Sequence, residues 1–547
     1  MPEAKERAAA LQEARRLYAQ HLWSGAFEAL SRLDEQEALA AADLEQLAWS
    51  AALIGRDETF LKALERLYHT HLDAEAMSTA ARFAFWLGFR LMFLGEAARG
   101  AAWLGRCQQI VNECGEECAE TGYLLLLPIR KQLMSGDLAS ASETAARAAA
   151  IGKRFSEPDL VALSLHLGGR SLVQAGRVDE GMALFDESML AATSGELSPI
   201  VTGIVYCAVI ASCQQVFALE RAREWTAALT QWCEAQPELM TFRGSCQVHR
   251  SEILQLAGDW EQALAQAERA SVGDLAAADR DAVADAFYMK AEIHRLRGEL
   301  SQAEDAYLRS SQLGREPQPG LALLRAAEGR QRVALNALRR LLAETTERLA
   351  RARLLPALFE ISLDLGELTE AGAAATELES TASQYASEIL GAISAHARGL
   401  LLLAQGDAQG ALGPLRRAFY VWQRLGAPYE EARSRLALSK ACQGLGDSEG
   451  ARLSLDAART LFEQLGAARD LAALDQPRAK SDSTHNLSPR ELQVLLLVAT
   501  GKTNRMIAEH LQLSEKTIDR HVSNIFNKID VASRSAATAY AYEHDLI

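Results

Sequence analysis

Between Ser514 and Ile529 the chain carries Ile518, Val522, Ile525 and Ile529 at i, i+4, i+7 and i+11, one apolar stripe of an α-helix. At roughly 100° per residue, Lys516, Asp519, Arg520, Ser523 and Asn527 then fall on other sides of that helix. Their chemistry suits base edges. Arg520 can grip the paired acceptors of guanine and Lys516 can donate to the same atoms. Asp519 can accept from the cytosine amino group, and Ser523 can do either. Thr503, Asn504, Thr517, His521, Asn524 and Lys528 are placed for phosphates, which fix register without reading sequence. A short helix of this kind, following a capped helix and a tight turn, predicts reading of double-stranded promoter DNA in the major groove.

Four short helices are predicted over residues 487–547 to hold those groups in place. Ser488 caps the first, Pro489 takes its first turn, Glu491 is its reciprocal capping partner, and Gly501 ends it. Thr503 caps the second, with Ile507, Ala508 and Leu511 turned inward; Ser514 caps the third and Ser533 the fourth. The preceding polar stretch, residues 475–486, contains Pro477 and has no apolar period, so it reads as a flexible linker.

The tail resembles the LuxR-type DNA-binding domain. The resemblance spans Leu487–Leu546: the Leu-Ser-Pro-Arg-Glu opening, Thr503-Asn504 with Ile507-Ala508, Ser514-Glu515-Lys516-Thr517-Ile518, and His521-Val522-Ser523-Asn524-Ile525. It implies a bacterial transcription regulator that binds DNA as a homodimer, with Ser535–Tyr542 as the dimer contact. Three residues depart from the family pattern. Met506 stands where Glu is usual, which removes a reciprocal cap. Asp530 replaces the Gly after the third helix, and Asp519 sits at a position often basic.

Charge divides the chain. The net formal charge is −15, yet residues 486–547 hold 7 basic and 7 acidic groups, so the excess negative charge lies in residues 1–485. Any DNA contact must come from local placement of basic groups in the tail, since the body repels phosphate. With 49% hydrophobic, 24% charged and 6% aromatic residues, the chain has the balance of a folded, helix-rich protein. The start, Met1-Pro2-Glu3-Ala4-Lys5-Glu6, lacks a secretory pattern, and no apolar run reaches membrane-spanning length. A cytoplasmic protein is expected, nucleoid-associated when bound to DNA.

The body, residues 1–474, repeats. Glycine, four residues, then a small residue recurs at Gly95/Gly100, Gly136/Ala141, Gly176/Gly181, Gly258/Ala263, Gly298/Ala303, Gly366/Ala371, Gly406/Ala411 and Gly446/Ala451. Gly55 precedes the series with Phe60 in the small position, Gly329/Ala334 fits at an irregular distance, and Phe217/Ala222 fills one gap without the glycine. Successive glycines are mostly 40 or 41 residues apart. The unit is a helical hairpin: glycine turns the chain in the left-handed conformation, an acidic or polar residue opens the next helix, and the small residue allows close approach. Over residues 40–470 the body resembles tetratricopeptide repeats, with helices or loops longer than the ~34-residue consensus. The fold class is therefore all-α: a tetratricopeptide-like α-solenoid followed by a four-helix LuxR-type helix-turn-helix domain. Stacked hairpins present a concave surface for a protein, peptide or small-molecule effector.

Other groups read as structural. The eight cysteines, among them Cys114 and Cys118 one turn apart, lack companions for a metal, as do His69 and His71. Phe83, Phe85, Trp86, Phe89 and Phe93 are core rather than pocket. The leucine run Tyr123–Leu127 is stopped by Pro128, and Glu430, Glu431 and Arg433 form a solvated side. Gly501-Lys502-Thr503 ends like a phosphate-binding loop, but Leu496 stands where its first glycine belongs. No catalytic, cofactor or metal site is expected, so the chain is read as no enzyme. The alternative is a repeat scaffold acting mainly by protein or peptide capture, with DNA binding secondary.

Overall fold

A computed structural model describes residues 2–115, 117–273, 279–475, 487, 489–511, 513–529, 531 and 533–543. The chain divides into two compact units, Met1–Arg469 and Asp470–Ile547, and every described element is a helix or a turn. The division falls inside the helix Ala468–Asp475, five residues before the sequence-based boundary. The linker reading of 475–486 lies almost wholly outside the described residues.

The first unit is a stack of antiparallel hairpins. Its regular part is built from helices of 17 residues, such as Ala119–Ser135, Leu138–Arg154, Pro158–Gln174 and Val178–Ser194. The period of 40 arises because each helix is longer than consensus, while the joins stay short. Turn glycines from Gly55 to Gly446 take left-handed backbone, and so does Phe217 (φ 61°), the one turn residue of the series with a side chain. An L-residue pays roughly 1–2 kcal/mol there, and Phe217 recovers it by packing its ring against the Ile389–Ala427 cluster. Asp137, Asp259, Asp407 and Asp447 follow their glycines and cap the next helix with their carboxylates. Glu96, Glu299 and Glu367, at the same place, make no such cap. The small residues five positions on are buried except the last, Ala451, which is half-buried; Ala141, Ala263, Ala303, Ala371 and Ala411 are completely covered.

Successive turns of the solenoid touch one another, which the repeat pattern does not announce. Tyr385 donates to the Gln174 carbonyl (3.2 Å) and Arg223 to the Leu425 carbonyl (3.0 Å). Trp23 donates to Gln236 (3.1 Å), and the Met240 amide to the Leu53 carbonyl (2.9 Å). The hydrogen-bonded side chains here are 202 to 213 residues from their partners, the length of about five hairpins. The concave side is consequently a lumen bounded by a seam, and its width is fixed by these contacts.

Two local expectations are corrected. Pro128 does not stop its helix, which runs on to Ser135; flanking Leu126 and Ile129 are buried, so tertiary packing carries the chain past the lost hydrogen bond. Glu430 and Arg433 are not a solvated side. Arg433 pairs with Glu360 and Glu430, and all three line a cavity partly open to solvent. The aromatic group behaves as core through Phe83, Phe85 and Trp86, at 2%, 1% and 6% exposure, whereas Phe93 is half exposed. Among the described residues no group of three metal-ligating side chains converges, and no helix is long and apolar enough to cross a membrane.

Candidate nucleic-acid interface

The second unit holds four helices: Pro489–Ala499, Asn504–Leu511, Glu515–Lys528 and Arg534–Glu543. Their core is Val494, Leu495, Val498, Ile507, Ala508, Ile518, Val522, Ile525, Ile529, Ala537 and Ala541. The third helix buries the expected stripe, with Ile518, Val522, Ile525 and Ile529 all below a tenth exposed. Each described cap is made. The Thr503 hydroxyl accepts from the Met506 amide (3.3 Å), Ser514 from Thr517 (3.2 Å) and Ser533 from Ala536 (3.1 Å). Ser488 lies outside the described residues.

Lys516, Asp519, Arg520, Ser523, Asn524, Asn527 and Lys528 are exposed on this helix, with Thr517 and His521 half-buried. Within this set the geometry separates free groups from engaged ones. Lys516, Arg520, His521 and Asn524 have no hydrogen bond or ion pair among the described residues. Asp519 accepts from the Asn504 amide, and Asn504 accepts from Arg534 (2.7 Å), which also donates to the Lys502 carbonyl. This relay joins the second, third and fourth helices through polar groups alone. The Ser523 hydroxyl donates to the Asp519 carbonyl one turn back (2.9 Å), and Thr517 serves the Ser514 cap (2.7 Å between hydroxyls). Lys528 reaches the Glu491 carboxylate at 2.7 Å, a side chain only 6% exposed. Glu491 thus ties the first helix to the third.

Arg534 and Glu491 are the structural residues that sequence reasoning missed or misplaced. Arg534 carries no periodic signal, and Glu491 satisfies a capping pattern equally well. The arrangement leaves one side of a rigidly capped helix carrying two unpaired cations. A short helix, a tight turn and such a third helix together make a helix-turn-helix DNA-binding unit.

Comparison with known proteins agrees. Residues 485–541 match the GerE family, described as bacterial regulatory proteins, luxR family. The tail is 44% identical over 62 residues to the transcriptional regulatory protein LiaR of Bacillus subtilis (strain 168). It is 44% identical over 61 residues to the response regulator protein VraR of Staphylococcus aureus (strain Mu3 / ATCC 700698). In both cases the match spans 11% of this chain and 29% of the relative. The carboxyl-terminal unit is therefore a LuxR-type helix-turn-helix domain, joined to a tetratricopeptide-like helical body. Solved helical proteins similar to the chain include the APC/C hetero-tetramer Cut9-Hcn1 (13% identity, 96% of this chain and 95% of that one, TM-score 0.42). The apo quorum sensor NprR from B. thuringiensis is another (14% identity, 72% and 99%, TM-score 0.36). Likeness at this level carries no weight for a ligand, and the repeat architecture rests on the hairpin geometry itself.

Proposed function

We propose that the chain is a transcription regulator whose tail reads promoter DNA in the major groove while its helical body binds a regulatory partner or effector. The observation that carries the reading is the pair Lys516 and Arg520, exposed and, among the described residues, unpaired on a helix whose opposite stripe is buried. Arg520 and Lys516 are assigned to base edges. Asp519 and Ser523 adjoin them, but their internal hydrogen bonds make positioning of the helix their first task. His521 and Asn524 are assigned to phosphates; Thr503, Asn504 and Thr517 contribute there while holding caps and the relay. A homodimer through Ser535–Tyr542 fits the exposed ring of Tyr542, at 60%.

Arg520→Ala is the direct test. Specific binding falls by roughly 1–3 kcal/mol while binding to random duplex changes little, and base preference relaxes at one position. Equal loss on specific and random DNA removes Arg520 from base reading. Binding that does not weaken as salt rises argues against the phosphate contacts altogether.

A further inference from the structure

The lumen of the body contains a cavity of about 670 Å³ along the seam between two turns of the solenoid. That size lies within the range of roughly 300–1,000 Å³ typical of sites that enclose small organic molecules. One wall is apolar and comes from both sides of the seam: Phe217, Leu219 and Leu256 from one turn, Ile389, Ile393 and Trp422 from the next.

The polar wall is one-sided in what it lacks. Its carboxylates are engaged: Glu252 accepts from Gln214, Glu360 and Glu430 share Arg433, and Glu316 accepts the Gln318 amide at 3.3 Å. The lining's buried atoms left without a partner are donors, and one cation is free among the described residues. Arg353 is exposed within the cavity and makes no hydrogen bond or ion pair among the described residues. The Nε of Arg315 and the indole N–H of Trp422, a residue 4% exposed, are buried without acceptors. Arg315 pairs with Asp285 through one outer nitrogen and lies 4.3 Å over the Tyr288 ring. Burial pushes the Glu252 carboxyl up, but His249, Arg315 and Arg353 pull it below its ordinary value, so this acid stays ionised. Among the described residues, no lining side chain has a buried acceptor left unpartnered.

A buried donor without an acceptor costs about as much as a lost hydrogen bond. An occupant that relieves this cavity must bring acceptors on an apolar body. We infer that the seam cavity binds a small organic carboxylate with an apolar or aromatic body, its acid group on Arg353 and its body against Trp422, Ile389 and Phe217. This rests on reading the body as the effector-binding part of the chain. Because the site draws on residues 214–256 and 345–433, the occupant bridges two solenoid turns, and binding holds the seam closed.

Titration calorimetry on the full chain tests this with naphthaleneacetate, naphthaleneethanol and naphthaleneethylamine, which share the ring and differ in charge. The acid binds tenfold or more tightly than the alcohol, by the rough worth of a charged hydrogen bond, and the amine binds most weakly. Arg353→Ala erases the difference between acid and alcohol, and Arg353→Lys restores part of it; an unchanged thermal midpoint without ligand certifies both folds. The inference is overturned if none of the three binds, if acid and alcohol bind alike, if the amine is preferred, or if Arg353→Ala keeps the preference. Salt-dependent binding of duplex DNA, measured on the same preparations, separates the two claims. Intact DNA binding with no acid preference removes only the cavity inference, whereas acid preference without DNA binding removes only the regulator reading.

Discussion

The arginines of the solenoid and the cations of the recognition helix are projected by the same helical geometry and put to opposite uses. In the body, Arg82 holds both Glu120 and Glu157, Arg339 holds Glu367 and Glu370, and Arg398 takes Glu379 in two parallel contacts. Each such pair joins neighbouring helices, and most are partly exposed, so their worth is orientation more than stability. On the third tail helix Lys516 and Arg520 hold nothing among the described residues. These body arginines are spent on carboxylates, and the body carries the net charge of −15, whereas Lys516 and Arg520 are left free for phosphate and bases. A basic residue is informative, then, according to whether its own fold has already supplied its counter-charge.

The sharpest way to break this contrast is to unfold one side of it. Ile525 is 1% exposed in the tail core, so Ile525→Asp buries an unpaired charge at a cost above about 3 kcal/mol. Loss of all DNA binding is expected, with the melting transition of the body unchanged. A body that melts early in this variant would mean that the two units do not fold independently.

The reciprocal change acts on the body. A side-chain carbon at Gly181 would stand 2.6 Å from the Gly169 carbonyl oxygen and 2.6 Å from Val173 Cγ2, where two helices touch backbone to backbone. Gly181→Val should cost about 3 kcal/mol, the upper end for overpacking, read as an earlier melting transition of the body. Binding of the tail to random duplex DNA should be unaffected.

Acid sharpens the contrast next. The His166 imidazole is pushed down to about 3, first by burial and then by Arg170, while its Nε2 lies 3.2 Å from the Ser212 hydroxyl. At this site the folded body thus binds fewer protons than the unfolded chain below pH 6.5. The contribution of His166 to stability is complete above that value and declines as the pH falls toward 3, by on the order of 1 kcal/mol per unit. Urea unfolding at pH 7 and pH 5 should show a smaller acid loss in His166→Gln than in the parent, by roughly 2 kcal/mol. An identical acid loss in both proteins would mean that His166 is protonated in the fold.

What the sequence discloses follows from range. Hairpins, caps and the buried stripe of Ile518, Val522, Ile525 and Ile529 are set by residues within a turn or two, so spacing alone reveals them. The seam joins residues some 200 positions apart and depends on superhelical pitch, to which no local pattern corresponds. For the same reason Glu430 and Arg433, at a spacing typical of a solvated helix side, turn out to face the lumen. In the tail the recognition helix is legible, but polar residues facing DNA and polar residues facing a neighbouring helix share the same composition. Only the fold separates Arg520 from Asp519, or His521 from Lys528.

Lys528 is where that ambiguity can be resolved by the smallest measurement. Its amine sits on a buried carboxylate, so Lys528→Ala strands the charge of Glu491 and lowers tail stability, weakening binding to every sequence. A phosphate contact would weaken binding to every sequence too, so affinity alone does not discriminate. The salt slope does. Each neutralised phosphate contributes about 0.9 to the slope of log K against log salt, whereas a purely internal ion pair contributes none. In the double variant Glu491→Gln/Lys528→Ala the stranded charge is gone and stability returns toward that of the parent. If the slope of this variant stays at the parent value, Lys528 is a strut between the first and third helices. If it drops by about 0.9, the lysine leaves Glu491 for the backbone of DNA on binding, and the ion pair is the resting place of a phosphate ligand.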